Sequence, residues 1–185
     1  AFGPKNMGLS GAELENRVLE TCRLIGVKEE YLEKSPFDLS GGEKRRVAIA
    51  GVMAMRPEVI VFDEPTAGLD PAGRENVMKI INDYRNAVNA TVIVISHSME
   101  DMAQYCDDVA VMAHARLLMT GTRDEVFARA DELEAVGLDI PVITKLSALL
   151  RQGGMPLDPG LYTLEAAEAA LAQVFGLPAD REGGR

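Results

Sequence analysis

No Gly-Lys pair occurs anywhere in the 185 residues, so the GxxxxGK[ST] loop that cradles nucleotide phosphates is absent rather than degenerate. Basic residues are scarce: 19 Lys and Arg against 29 Asp and Glu give a formal charge of −10, and Lys44-Arg45-Arg46 is the one basic cluster. Such a balance repels a phosphate backbone, so no nucleic-acid partner is expected. The two cysteines, Cys22 and Cys106, fall in expected helices without metal-ligand spacing and fit a reducing compartment as buried thiols. The longest apolar runs, around Val59 to Phe62 and Val92 to Ile95, are far too short to span a membrane. There is no charged-then-apolar leader, no internal repeat, no low-complexity block and no initiator Met. A chain opening on Ala1-Phe2-Gly3-Pro4 reads as cut from something longer.

What is present is ordinary for a globular protein: 47% hydrophobic and 26% charged residues, enough for one main domain with a real core. Ser10 with Glu13 has capping-box spacing, and Leu14, Val18, Cys22 and Ile25 follow at helical period until Gly26. Ser40 with Glu43 repeats the box ahead of a helix ending near Arg56-Pro57. Val59 to Phe62 and Thr91 to Ile95 are continuous apolar runs, the pattern of parallel strands buried on both faces. Asp70-Pro71 supplies a cap and a first-turn proline for the helix between them, which is expected to run to about Ala87. Strand, helix, strand in this order predicts a parallel βαβ unit, whose two polar ends, Asp63-Glu64 and Ser96-His97, fall at the ligand-binding edge of an α/β sheet. Beyond it come a short helix from Met99 to Cys106, two strands (Val109 to Met112, Arg116 to Met119) joined by a tight turn at His114, and a helix capped by Thr122 and Glu125. Ala- and Leu-rich helical segments follow from Asp131, interrupted at Gly137 to Pro141 and Gly153 to Gly160, and residues 178–185 read as a disordered tail.

Chemistry concentrates at four places. Gly41 and Gly42 let backbone N–H groups approach an anion at a helix N-terminus, and Ser40 adds a hydroxyl; a plain capping role for Ser40 is the alternative. Asp63 and Glu64 end a strand as adjacent carboxylates, a pair of which one can hold Mg²⁺ while the next polarises an attacking water; solvated strand-end carboxylates are the alternative. His97, just past the second strand, suits stabilisation of a γ-phosphate, although a lone histidine at a strand end also serves structure. Asp70 is a helix cap on any reading. His114 falls in an exposed turn and takes no role.

Order and spacing join these places: LSGGE, VIVFDEP, TAGLDP, ISHS. The series resembles the ATP-binding cassette (ABC) ATPases, matching their signature motif, Walker B strand, D-loop and switch histidine. The resemblance implies an α/β chain with part of a P-loop NTPase (ABC ATPase) fold, a mostly parallel sheet with flanking helices, and a C-terminal helical extension. It implies ATP and Mg²⁺ as cofactors and two ATPase domains facing head to tail. Ser40, Gly41, Gly42 and Glu43 would then lie against the γ-phosphate of ATP held mainly by the partner domain. Asp63 would help hold Mg²⁺, Glu64 would be the catalytic base and His97 would contact the γ-phosphate, all three in the chain's own nucleotide site, and Asp70 would sit at the dimer interface. The phosphate loop, the adenine-stacking aromatic and the Q-loop lie upstream of this region in the family, so the expectation is a C-terminal portion that does not hydrolyse ATP unaided. Glu43 stands where the family has Gln, which adds negative charge beside a phosphate.

AFGPKNMGLS, RRVAIAGVMAMRPEVIVFDEPTAGLDPAGR, SHSMEDMAQYCDDVAVM and GLDIP narrow the resemblance to the ATPase subunits of energy-coupling factor (ECF) importers of vitamins or transition-metal cations. The implied partners are a second ATPase subunit, a transmembrane coupling subunit and a substrate-binding membrane subunit. The implied location is the cytoplasmic face of the membrane, as a peripheral protein. Phe2-Gly3-Pro4 would lie near the groove for the coupling helices, and Leu138 to Phe175 would help hold two ATPases together. The expected division is an ABC ATPase domain over 1–130 (helical signature part about 5–56, core about 57–130), an extension over 131–177 and the tail over 178–185. Alternatives are a soluble ABC ATPase outside transport, for which the chain lacks coiled-coil insertions and basic patches, and a docking module that does not hydrolyse.

Overall fold

A computed structural model describes residues 1–158 and 160–177. The expected tail, 178–185, lies outside the described residues. Two compact units divide at the end of the second parallel strand: Ala1–Ile95 and Ser96–Arg185.

The first unit opens with α1 (Phe2–Asn6) and α2 (Gly11–Ile25). Gly26 ends α2 in the left-handed conformation, φ 68°, which a residue without Cβ adopts at little cost. The expected Ser10 capping box does not form: Ser10 is the N-cap, yet its side chain accepts no cap bond. Gly11 explains this, because its φ of 54° turns the backbone out of helical geometry immediately after the cap. Two short 3₁₀ turns, Glu29–Tyr31 and Pro36–Asp38, lead to α3 (Gly41–Met53), where Ser40 and Glu43 close a complete capping box.

β1 (Val59–Asp63), α4 (Pro71–Val88) and β2 (Thr91–Ile95) then form the expected βαβ unit, with the strands parallel and Val59 opposite Thr91 through to Asp63 opposite Ile95. Asp70 caps α4 through the Gly73 N–H, with Pro71 at the first helical position, and Asn89 closes the helix at φ 53°. The core of this unit lies where α2, α3 and α4 meet, around Ile25, Met53, Ile81 and Tyr84. Each such side chain contributes about 1.5–3 kcal/mol by leaving water. The carbonyls at the C-terminal end of α3 are satisfied by the Tyr84 hydroxyl, 3.3 Å from Met53 O, and the Arg17 guanidinium, 3.5 Å from Ala54 O.

The expectation of strands buried on both faces is corrected. Ile60 is 4% exposed, but Val61 is 55% and Ile95 51% exposed. Side chains alternate across a strand, so Val59, Val61, Ile93 and Ile95 share one face with Asp63, and that face remains half open to water. A run of apolar residues reports that both faces are able to bury, not that both are covered.

The second unit contains α5 (Met99–Tyr105), an antiparallel hairpin of β3 (Asp108–Ala113) and β4 (Arg116–Thr122), and four further helices: α6 (Arg123–Phe127), α7 (Ala130–Ala135), α8 (Val142–Gln152) and α9 (Leu164–Phe175). Cys106, expected in a helix, caps α5 in extended geometry and is half-buried, whereas Cys22 is buried in α2 and its thiol pKa is pushed up, chiefly by that burial. His114 and Ala115 turn the hairpin at φ 50° and 58°, the left-handed pair that a tight two-residue connection requires. Thr122 and Glu125 form a second closed capping box. A Cβ at Gly121 would stand 2.7 Å from the Glu125 carboxylate, so a larger residue there would push that side chain aside. Phe127, Val126 and Leu133 are the buried centre, and the Phe127 and Tyr162 rings pack 5.4 Å apart. Among the described residues no helix is long and apolar enough to cross a membrane.

Candidate active site

In the first unit the sequence candidates fall at the start of α3 and in the loop between β1 and α4. At α3, the Glu43 carboxylate accepts from the Ser40 N–H at 2.7 Å, while the Ser40 hydroxyl accepts from the Glu43 N–H at 3.4 Å. The Tyr31 hydroxyl also donates to Glu43. Together these donors hold the Glu43 carboxyl down to about 2, with the Tyr31 bond the largest cause. The same bond raises Tyr31 above its ordinary value. Lys34 lies over the Tyr31 ring at 5.0 Å, which places a positive charge beside the turn. Sequence reading overlooked Tyr31; its only signal was an aromatic between two lysines just before the signature stretch.

Ser40, Gly41 and Gly42 are exposed, and a Cβ at either glycine would meet nothing within 4 Å. Internal packing therefore does not explain these glycines. The open space above the first turn of a helix, with its unpaired N–H groups, has the chemistry of an anion site.

The carboxylate pair ends β1. Asp63 is exposed on the open sheet face and Glu64 is half-buried. Glu64 adopts φ 49°, an uncommon conformation for a residue with a side chain, and its N–H donates to Ile95 O of β2 at 2.8 Å. Pro65 and Thr66 are buried behind it. The Ala67 N–H donates to Glu64 O at 3.3 Å, and Arg74 Nε donates to Leu69 O at 3.3 Å. Asp70 is occupied as the cap of α4, its Oδ1 accepting from the Gly73 N–H at 2.9 Å.

Sequence reading also missed Arg45, which it counted only as one charge of a basic cluster. Its guanidinium donates to Glu64 O at 3.0 Å and to Ala67 O at 3.2 Å, tying α3 to the loop that follows the carboxylates.

His97 belongs to the second unit. It is exposed, two residues past β2 and directly before Ser98, which caps α5 by accepting from the Asp101 N–H at 3.2 Å. No group of three or more His, Cys, Asp or Glu able to cage a metal occurs among the described residues. Mg²⁺ does not need one: it is commonly held by one or two carboxylates together with phosphate and water, and Asp63 with Glu64 fits that donor set.

The family model described as ABC transporter matches residues 11–67, which include the α3 turn and the carboxylate pair. The energy-coupling factor transporter ATP-binding protein EcfA2 of Caldanaerobacter subterraneus subsp. tengcongensis is 46% identical over 91% of this chain and 59% of its own length. That of Symbiobacterium thermophilum is 45% identical over 99% of this chain and 62% of its own. The chain thus spans about three fifths of the curated relatives it matches. Among solved structures, cbiO1 from Clostridium perfringens, described as part of the ABC transporter complex cbiONQ, superposes with TM-score 0.65 at 37% identity, over 81% of this chain and 58% of that one. A dimeric bacterial ABC transporter cassette superposes with TM-score 0.53 at 28% identity, over 62% of this chain and 49% of that one. The fold is that of the ABC ATPases, residues 11–67 match the ABC transporter family, and over most of its length the chain is similar to ATP-binding proteins of the energy-coupling factor type.

Proposed function

We propose that this chain supplies ATP-hydrolysing machinery to an ECF-type importer, which takes up a vitamin or transition-metal cation through a transmembrane coupling subunit and a substrate-binding membrane subunit. The observation that carries the reading is the pairing, within one unit, of an open, glycine-lined helix start at Ser40 with a strand-end carboxylate pair whose second member is conformationally fixed.

Each residue then has a task. Ser40 and the N–H groups at Gly41 and Gly42 donate to the γ-phosphate of ATP bound mainly by a second ATPase subunit. Glu43 keeps the turn closed at the cost of a negative charge near that phosphate. Asp63 is the residue that would hold Mg²⁺, whose contribution is to neutralise charge developing on the phosphate oxygens. Glu64 takes a proton from the attacking water, His97 supports the γ-phosphate, and Asp70 holds the loop that would face the second subunit. The chain itself works peripherally, on the cytoplasmic face of the membrane.

α8 supports a subunit contact. Thr144 and Ser147 are its buried residues, while Val142, Leu146 and Leu149 stand exposed at helical spacing on its outer side. This is the reverse of what a helix packed only against its own unit displays. We read the segment from Leu138 to Phe175 as a contact between the two ATPase subunits.

The test is Glu64→Gln in the protein as its own gene encodes it. Steady-state ATP turnover is expected to fall about 100-fold or more while ATP binding is retained, the loss usual for a general base. Turnover equal to wild type would remove Glu64 from the mechanism.

A further inference from the structure

We infer that Arg45 is a positioning residue for Glu64, linking the helix that begins at the glycine-lined turn to the carboxylate that activates water. The inference rests on the reading of Glu64 as the base.

The backbone at Glu64 is in a region that side-chain-bearing residues occupy only when their surroundings over-determine it. The structure shows what does so. On one side, the Glu64 N–H is held by Ile95 O at 2.8 Å. On the other, Glu64 O accepts from Arg45 Nη2 at 3.0 Å, and Ala67 O accepts from Arg45 Nη1 at 3.2 Å. One planar guanidinium therefore spans both ends of the turn that follows Glu64, a geometry for which a lysine has neither the fork nor the second fixed donor. Without it, the turn keeps the Ala67 N–H bond to Glu64 O, at 3.3 Å, and loses these two bonds from α3.

Arg45 is the fifth residue after Ser40, about 7 Å along a helix that rises 1.5 Å per residue. α3 begins in a closed capping box and behaves as a short rigid lever over that distance. A shift of the turn when it meets a phosphate is thereby delivered to the carbonyl of Glu64. One residue thus couples the part of the chain that reads one nucleotide to the carboxylate that serves another.

The test compares Arg45→Met, which keeps an unbranched apolar stem and removes both donors, with Arg45→Lys, which keeps one, in the protein as its own gene encodes it. Arg45→Met is expected to lower kcat about 10- to 100-fold, the range for a small misplacement of a reacting group, with the KM for ATP changed less than about twofold. Arg45→Lys is expected to fall between it and wild type. Amide hydrogen exchange over residues 64–69 is expected to speed up in the same order. Arg56→Met removes another arginine of this unit, paired with Glu20 at 2.9 Å, and is expected to leave kcat unchanged.

A raised KM with unchanged kcat, or exchange over 64–69 identical to wild type, overturns the role. If Glu64→Gln abolishes turnover while Arg45→Met retains it, Arg45 fails and the reading of Glu64 stands. If Glu64→Gln turns over normally, both fail together. Should Arg45→Met not fold, Arg45→Lys decides: kcat and exchange both equal to wild type overturn the inference.

Discussion

The first unit contains two turns written in nearly the same letters, Ser10-Gly11-Ala12-Glu13 and Ser40-Gly41-Gly42-Glu43, each opening a helix. The second closes a capping box, and the first does not. Ser10 sits at φ −149° and Gly11 at 54°, so the cap hydroxyl is carried away from the N–H groups it would serve. Ser40 sits at φ −63°, and neither Gly41 nor Gly42 is left-handed, so hydroxyl and carboxylate reach across to each other's N–H groups. The same residue, glycine after the cap, is thus used for its conformational freedom in one turn and for the space it leaves in the other.

This contrast predicts opposite outcomes for one substitution. Gly11→Ala places a Cβ on a left-handed backbone and is expected to cost about 1–2 kcal/mol, although nothing crowds it. Gly41→Ala adds a Cβ where the backbone tolerates one and is expected to stabilise by about 0.5 kcal/mol while impairing ATP turnover, because the methyl intrudes on the proposed phosphate position. Denaturant midpoints measured on both variants check the signs. Destabilisation by Gly41→Ala of the same size as that by Gly11→Ala would mean that the two glycines do the same work.

A smaller effect separates the two serines. Ser40→Ala removes a long cap bond of 3.4 Å and is expected to cost about 0.5–1 kcal/mol. Ser10→Ala removes no cap bond and is expected to change stability by less than about 0.3 kcal/mol. Equal losses in urea unfolding would show that Ser10 caps its helix in solution.

Local signals account for what the sequence disclosed. Asp70-Pro71 fixed the start of α4, Ser40 with Glu43 that of α3, Thr122 with Glu125 that of α6, and the two apolar runs gave β1 and β2 in parallel register. In each, the partners lie within a few residues or follow from chain order. Features that depend on distant partners were not readable. The Ser10 spacing promised a box that the conformation of Gly11 prevents. Apolar runs at 59–62 and 91–95 could not say which face would be covered. The left-handed backbone of Glu64 rests on Ile95 and on the turn tied down by Arg45, 31 and 19 residues away, and nothing in the run Lys44-Arg45-Arg46 shows that its middle member turns inward. The candidate residues were legible as residue types at a given spacing; the contacts that hold them were not.

The smallest expected effect concerns the charge that distinguishes the second turn. Glu43 has its carboxyl lowered from 4.5 to about 2 by the Tyr31 hydroxyl first and by Ser40 next. A pKa lowered on folding means that the folded state favours the ionised carboxylate. Its contribution is fully present above 4.5, the unfolded value, and is lost as pH falls towards about 2. Glu43→Gln keeps an acceptor for the cap and the Tyr31 hydroxyl but has no proton to take up. The wild-type protein is therefore expected to lose stability relative to Glu43→Gln across that window, and the two to run parallel above it. Because the turn is exposed, the difference should shrink as salt is added. Denaturant midpoints for both proteins through this range, at low and high ionic strength, decide the matter. Curves that stay parallel down to about pH 2 would mean that the hydroxyl and cap bonds do not discriminate between the carboxylate and its amide. The negative charge in the turn would then be a burden on phosphate binding without a structural return.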